Sequence, residues 1–535
     1  MAEELAFARK ASGLVRGLSF WDVFGMGLAF ITPIYSIWYI IEVGLKLYPG
    51  ANLIITVIIS VFTIGWASPL VWGILGGTMP RSGGEYIYNS RIITPAIAMG
   101  ASFTQLCAVF YWNLFNASMF AVPSLAILGQ YMGWKGLSDF ATGKAGGCIL
   151  SVICVAIAFL IIVFGMHIFH RLSKWVVVIM LLGVAILDGA LTFTSKASFI
   201  ANWDAQAAKF HSLTYHAFVA AAGTSAGAPM PTHWNWGDTF GATAGVFMIF
   251  VWTYCMAYVG GEVKRPDKTL IRGHLFAVGI PVLLCLWALL ALGHITDFNF
   301  LRAAAFQDFT AGTKGYALPY STSYMSLAYI ASGSNAFIAL VASITFLITM
   351  IWLTVVSLVV AQRGFFAWGM DRMGPKWFTA VNKRWGSPIG MYAFCAALSA
   401  FLCVAYWYLF PSLLSGLVAA GMQLVSVFGL TAIAAIILPY RKKVAHIWEA
   451  SPFSRWKVLG VPVLTIAGIV YLGYIIALLY FAFFDTNTRD ITGKKAYLFI
   501  GAWLVGMAWY FVWKQRSKAV GIDVANLTYK ELPPE

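Results

Sequence analysis

The sequence predicts an all-α polytopic membrane protein with twelve transmembrane helices. Three observations carry this. Of 535 residues, 60% are hydrophobic and only 10% are charged, where a water-soluble chain carries about 25% charged residues. The mean hydropathy of +0.80 is too high to be hidden in a globular core, because surface does not shrink fast enough with size. Apolar runs of the length a helix needs to cross the hydrocarbon core, about 20 residues, recur twelve times. The same composition excludes a disordered chain, a collagen-like chain and a disulfide scaffold. The seven cysteines all lie in apolar stretches without metal or CxxC spacing, and read as small buried hydrophobes.

Residues 1–18 form a polar, amphipathic cytoplasmic segment rather than a cleavable signal, so the first span is expected to insert and stay. Five spans follow over 19–46, 53–78, 95–132, 147–167 and 175–194, and make up a first repeat, 19–194. An extracellular loop, 195–239, reads either as a vestibule cover or as a flexible connector, and the connector is favoured. Its histidines His211, His216 and His233 have no tight metal spacing. A second repeat, 240–438, holds spans over 240–261, 273–293, 324–362, 389–409 and 413–438. A cytoplasmic loop, 439–460, leads to spans 461–484 and 496–513 (together 461–513), and a cytoplasmic tail, 514–535, closes the chain. The Asn526-Leu527-Thr528 glycosylation pattern in that tail reads as chance.

The net charge of +15 is explained by orientation rather than by nucleic acid. Of the 35 Lys and Arg residues, 25 fall on the side that holds both termini, including the clusters Lys264-Arg265, Lys383-Arg384 and Arg441-Lys442-Lys443. The positive-inside rule makes that side cytoplasmic.

Two spans are irregular at corresponding places. In the first, Gly25, Gly27 and Pro33 interrupt an otherwise uniform helix, and Pro33 clashes with the carbonyl of Ala29. Backbone groups around Ala29–Thr32 are thereby freed and need partners in the bilayer core. Five spans later, Gly260-Gly261 and the polar Thr253 and Tyr254 interrupt the sixth. Interrupted helices in matching positions point to a transporter built from inverted repeats, five spans plus five with two added. The alternative is close packing at glycines.

Three motifs carry a resemblance. Pro80-Arg81-Ser82-Gly83-Gly84-Glu85-Tyr86-Ile87-Tyr88 follows the second span. Gly261-Glu262-Val263-Lys264-Arg265-Pro266 follows the sixth, and Arg363 with Met370-Asp371-Arg372-Met373-Gly374-Pro375 follows the eighth. In residues, order and side, they resemble the amino acid–polyamine–organocation (APC) superfamily of permeases, over spans one to ten. The resemblance implies a LeuT-type fold with spans 1 and 6 discontinuous and a substrate held between spans one, three, six, eight and ten. Carboxylate and ammonium would meet half-helix ends, whose dipoles and unpaired backbone groups suit them. Carried over, the first break is Ala29, Phe30, Ile31, Thr32 and Pro33, and the second is Phe250, Trp252, Thr253 and Tyr254. Tyr111 joins them from span three. Tyr86, Glu262 and Lys264 match gate positions, and Glu262 with Lys264 reads equally as an interfacial ion pair.

The chain departs from the family in three places. Glycine is usual where Trp252 stands, several members are acidic at Tyr254, and the span-five lysine of some members is replaced by Leu181-Leu182-Gly183. Lysine-based coupling is therefore not expected. A sodium ion would take the carbonyl of Ala29 and the hydroxyls of Thr354 and Ser357. Asp188 reads either as a proton acceptor or as a boundary carboxylate, while Asp22 and Glu42 are placed at the interfaces.

No Lys or Arg is placed mid-membrane, and Phe110, Tyr111, Trp112 and Phe115 make span three aromatic. The expected cargo is a neutral apolar or aromatic amino acid, moved across the plasma membrane with H+ or Na+ or by exchange. A cationic amino acid, amine or polyamine is the closest alternative, and a non-transporting receptor the alternative from another class. A channel would need a repeated polar pore lining. An enzyme would need a catalytic cluster, and His167 and His170 have no matching carboxylate. No cofactor, metal or nucleic acid partner is expected, and the chain is read as a monomer or homodimer in the bilayer.

Overall fold

The computed structural model describes residues 16–226, 231, 233–382, 385, 387–411, 417–485, 494–521, 524, 529 and 531–532. Among them, twelve helices are long and apolar enough to cross a membrane. They are numbered here in chain order. Spans 1 to 4 are Phe20–Leu47, Leu53–Thr78, Pro95–Met132 and Lys144–Val163, and spans 5 to 8 are Ile168–Thr192, Trp236–Tyr258, Pro266–Ile295 and Ala336–Met370. Spans 9 to 12 are Ile389–Tyr408, Ala420–Tyr440, Val463–Phe484 and Lys495–Ala519. The described sheet is one small hairpin, Lys457–Val458 with Val461–Pro462. The protein is an all-α polytopic membrane protein.

Span 1 is the most enclosed helix, and spans 3, 6 and 8 are also largely buried. Spans 11 and 12 sit at the periphery, packed on spans 10 and 3. Span 12 reaches span 3 through small residues: a Cβ at Gly506 would come within 2.6 Å of the Phe103 side chain and 2.7 Å of the Met99 carbonyl. That closeness is the usual device where two apolar helices gain nothing from expelling water.

Several sequence expectations change. The loop 195–239 is not a flexible connector. It folds into helices Lys196–Lys209 and Tyr215–Ser225, which close over an aromatic cluster. Trp203 is fully buried, its Nε1 donates to the Leu213 carbonyl at 3.1 Å, and Tyr215 stacks on Phe300 with centroids 4.5 Å apart. The expected eighth span, 324–362, is two helices, Tyr324–Ala331 and Ala336–Met370. They part where Gly333 and Ser334 take φ of 70° and 63° and the Asn335 side chain caps the second helix at Phe337 N, 2.8 Å. Span 5 begins earlier than 175, because Gly165 at φ 97° ends span 4 and its helix restarts at Met166.

Asp22 and Glu42 are both fully buried within the protein. Asp22 accepts from Ser19 N at 2.7 Å, capping span 1, and pairs with His170, which therefore has the carboxylate the sequence did not reveal. Lys383-Arg384 and Asn526-Leu527-Thr528 lie outside the described residues, as do residues 413–416 at the expected start of span 10.

Candidate functional site

Span 1 breaks at Thr32. Helix Phe20–Ile31 stops there and helix Pro33–Leu47 begins, with Thr32 left-handed at φ 46°, ψ 76°. Few non-glycine residues take that conformation. Pro33 has no N–H to give Ala29, but its fixed φ suits the first position of a new helix. The freed carbonyl of Ile31 is met by two hydroxyls, Thr32 Oγ1 at 2.8 Å and Ser36 Oγ.

Span 6 loosens where the second interruption was expected. Helix Thr243–Phe250 gives way to a 3-10 helix, Trp252–Tyr258, and a second short one, Gly260–Glu262. Ser68 Oγ of span 2 donates to the Phe250 carbonyl at 3.0 Å. One freed carbonyl at each break is thus met by neighbouring hydroxyls, as a low-dielectric setting favours.

A narrow cavity of about 20 Å³ lies against the two breaks. Of the residues singled out in the sequence, Phe30, Thr32, Trp252, Tyr254 and Ser357 line it. Trp252 meets Trp112 edge to face at 4.9 Å, and Phe30 meets Tyr254 at 5.7 Å. Tyr35, Val109, Trp112, Asn116 and Leu353 also line it and were not singled out as site residues. Their signal was spacing: 109, 112 and 116 share one face of a helix, as do 353 and 357. Trp112 Nε1 and Tyr35 Oη are buried without a hydrogen-bond partner, which makes them the wall's open polar groups.

The other expected residues lie beside the cavity rather than on it. Ala29, Ile31, Pro33 and Thr253 are buried in the two breaks, and Phe250 points at span 2, close to Gly65. Tyr111 is one residue from the lining Trp112 and so projects from another side of the helix. Thr354 donates to the Met350 carbonyl at 2.9 Å. Asp188 lies away from the cavity, accepting from Tyr324 Oη at 2.5 Å.

The loops that carry the three motifs meet at one end of the bundle. Glu262 pairs with Arg363, Nε to Oε1 at 2.7 Å and Nη2 to Oε2 at 3.1 Å, not with Lys264, which is exposed. Gly17 and Leu18 amides donate to the Glu262 carbonyl at 2.9 and 3.0 Å. Arg91 grips Asp371 at 2.5 and 2.7 Å, tying helix Glu85–Ile92, which begins in the first motif, to the third. Gly83, at φ 106°, lies against Ala367 with no room for a side chain, which explains a glycine there. Glu85, outside the spans, accepts from Tyr258 Oη at 2.7 Å, and burial pushes its carboxyl up to about 8 despite that bond. Tyr86 is buried and shares a 3.0 Å hydrogen bond with Tyr529 of the tail. The first and last described segments therefore sit at the same end.

Broken helices around an aromatic cavity, with motif loops clustered at one end, are an arrangement for passing a small molecule through a bilayer. No curated protein matches the chain. The amino acid permease family model matches residues 18–508. That match spans the cavity, both breaks and every motif loop, and the chain belongs to this amino acid permease family of the APC superfamily.

Proposed function

We propose that this amino acid permease moves neutral amino acids with apolar or aromatic side chains across the plasma membrane by alternating access. The observation that carries the reading is the lining of the central cavity, which among the described residues contains aromatic, aliphatic, Thr, Ser and Asn side chains and no acidic or basic one. A charged substrate side chain would be desolvated there without a partner, at a cost of several kcal/mol. The substrate's own carboxylate and ammonium are matched by the amides that open helix Pro33–Leu47 and by carbonyls of the loosened span 6. Trp252 and Trp112 form the floor and limit substrate size.

Asp188 keeps one buried oxygen without a partner and supports H+ as the coupling ion. Na+ held by Ala29, Thr354 and Ser357, or exchange, are the other drives. The end holding Leu18, Glu262, Arg363 and Tyr529 is taken as cytoplasmic, following the charge bias.

Reconstitution into liposomes with a panel of labelled amino acids, under H+ and Na+ gradients in turn, tests the reading. Uptake of leucine-like or phenylalanine-like substrates is expected. Uptake of amines alone would replace it with an amine carrier, and no uptake of any compound with a non-transporting receptor.

A further inference from the structure

The loop that carries the first motif is seated on the loosened part of span 6. Gly83 N donates to the Tyr258 carbonyl at 3.2 Å, and Ser82 bridges to Val259. A Cβ at Gly84 would come within 2.7 Å of the Tyr258 ring, so the loop backbone lies directly on that ring. Glu85, the next residue, is fully buried. Its Oε1 accepts from Tyr258 Oη at 2.7 Å, while Oε2 has no hydrogen-bond partner. The Tyr258 ring stands 6.0 Å from that of Tyr254, which lines the central cavity. One carboxyl thus sits where the motif loop, span 6 and the cavity wall meet.

Among the described residues, Glu85 makes no ion pair. Its helix, Glu85–Ile92, packs on spans 3, 8 and 10 and on the short helix Lys442–Val444. Span 8 brings Arg363 and Asp371, which are engaged by Glu262 and Arg91. Cys107 of span 3, Tyr440 of span 10, Lys442 and Lys443 are all exposed. The titratable side chains that face Glu85 are Tyr258 and Tyr254 of span 6.

A buried carboxyl without a cation beside it is held in its neutral form, and burial pushes this one up to about 8. A loop lifted into water would return it to the ordinary 4.5. Between those values, seating the loop takes up a proton and lifting it gives one up to water. Below the higher value, lifting becomes about tenfold harder for each pH unit. We propose that Glu85 is a proton-operated catch on the end taken as cytoplasmic: with its carboxyl protonated the first motif stays seated on span 6, and loss of that proton to the cytoplasm releases the loop, Tyr258 and the wall behind Tyr254. Cytoplasmic pH thereby governs how readily this end opens.

The test is alkylation of Ser82→Cys, a position buried while the loop is seated, in the full-length protein in lipid nanodiscs. The exposed Cys107 is first removed as Cys107→Ala. A maleimide labels the protein from pH 6 to pH 8, and each rate is divided by that of a free thiol at the same pH. The normalised rate should rise about tenfold or more over this range. Glu85→Gln, which fixes the side chain in a neutral form, should label slowly and without that rise. Glu85→Asp, which still titrates, should restore it. Tyr258→Phe removes a bond that favours the carboxylate and should move the rise to higher pH.

An equal rise with Glu85 and with Glu85→Gln would overturn the proposal, as would a normalised rate that does not change with pH. The consequence for transport rests on the alternating-access reading. Uptake into liposomes should be slower at internal pH 6 than at internal pH 8, and indifferent to internal pH in Glu85→Gln. A rise in labelling that depends on Glu85, in a protein that moves no labelled amino acid, would keep the catch and sink the transport reading.

Discussion

Trp252 shows how one residue sets a cavity's capacity. Its ring stands edge to face with Trp112 at 4.9 Å and fills space that glycine would leave open. Trp252→Gly should therefore shift preference toward larger side chains, read as competition by tryptophan against alanine in an uptake assay, by about tenfold or more. Unaltered selectivity in a well-expressed variant would remove Trp252 from the site. Glu85 makes a different kind of prediction. Its folded value of about 8 lies above the ordinary 4.5, so between those values the folded protein holds a proton that the unfolded chain has released. Folding stability contributed by this group is complete at low pH and is lost as pH rises through that window. Glu85→Gln should flatten the fall in melting temperature from pH 5 to 9; a slope identical to wild type would assign it to other groups.

At the scale of elements, the sequence revealed interruptions better than it revealed caps. Pro33 announced the break in span 1 because a missing N–H is a local covalent fact. Pro33→Ala should let the helix continue, and slow uptake about tenfold at normal expression; undiminished uptake would show that the break is not needed. The split between helices Tyr324–Ala331 and Ala336–Met370 was missed, since the polar cluster Ser332-Gly333-Ser334-Asn335 is short and flanked on both sides by apolar stretches. The helical cover at 196–225 was missed for the opposite reason. An Ala- and Gly-rich composition concealed Phe199, Trp203, Tyr215 and Phe218, which become a core only when Phe300 closes on them. Trp203→Ala should cost about 3–5 kcal/mol locally, seen as faster proteolysis between Lys209 and Tyr215; an unchanged cleavage rate would contradict the packing.

At the scale of the whole molecule, two buried ion pairs bind the end that carries the first and last described segments. Glu262 with Arg363 joins spans 6 and 8, and Arg91 with Asp371 joins the loop after span 2 to the end of span 8. Removing one partner leaves the other charge buried, a loss of about 3–5 kcal/mol. Glu262→Gln should lower the melting temperature and open this end to thiol reagents at cysteines introduced near Gly261. Protection equal to wild type would mean that the pair does not hold the end shut. Sequence motifs brought all three loops into view but paired Glu262 with Lys264, its neighbour in the chain. The actual partner, Arg363, is 101 residues away, a distance that only packing erases.

The sequence by itself determined that the chain crosses a membrane twelve times, where span 1 breaks and which motifs it shares with amino acid permeases. These follow from hydropathy, proline geometry and residue identity, all of which are local. Only the tertiary structure decided which side of each helix meets the cavity, so that Trp112 lines it while Tyr111 and Phe250 do not. It also decided that Asp22 has His170 for a partner, that Glu42 has no hydrogen-bond partner among the described residues, and that Tyr86 is held by Tyr529. Helix rotation and long-range pairing are set by the sum of many apolar contacts, and no single stretch of sequence carries that sum.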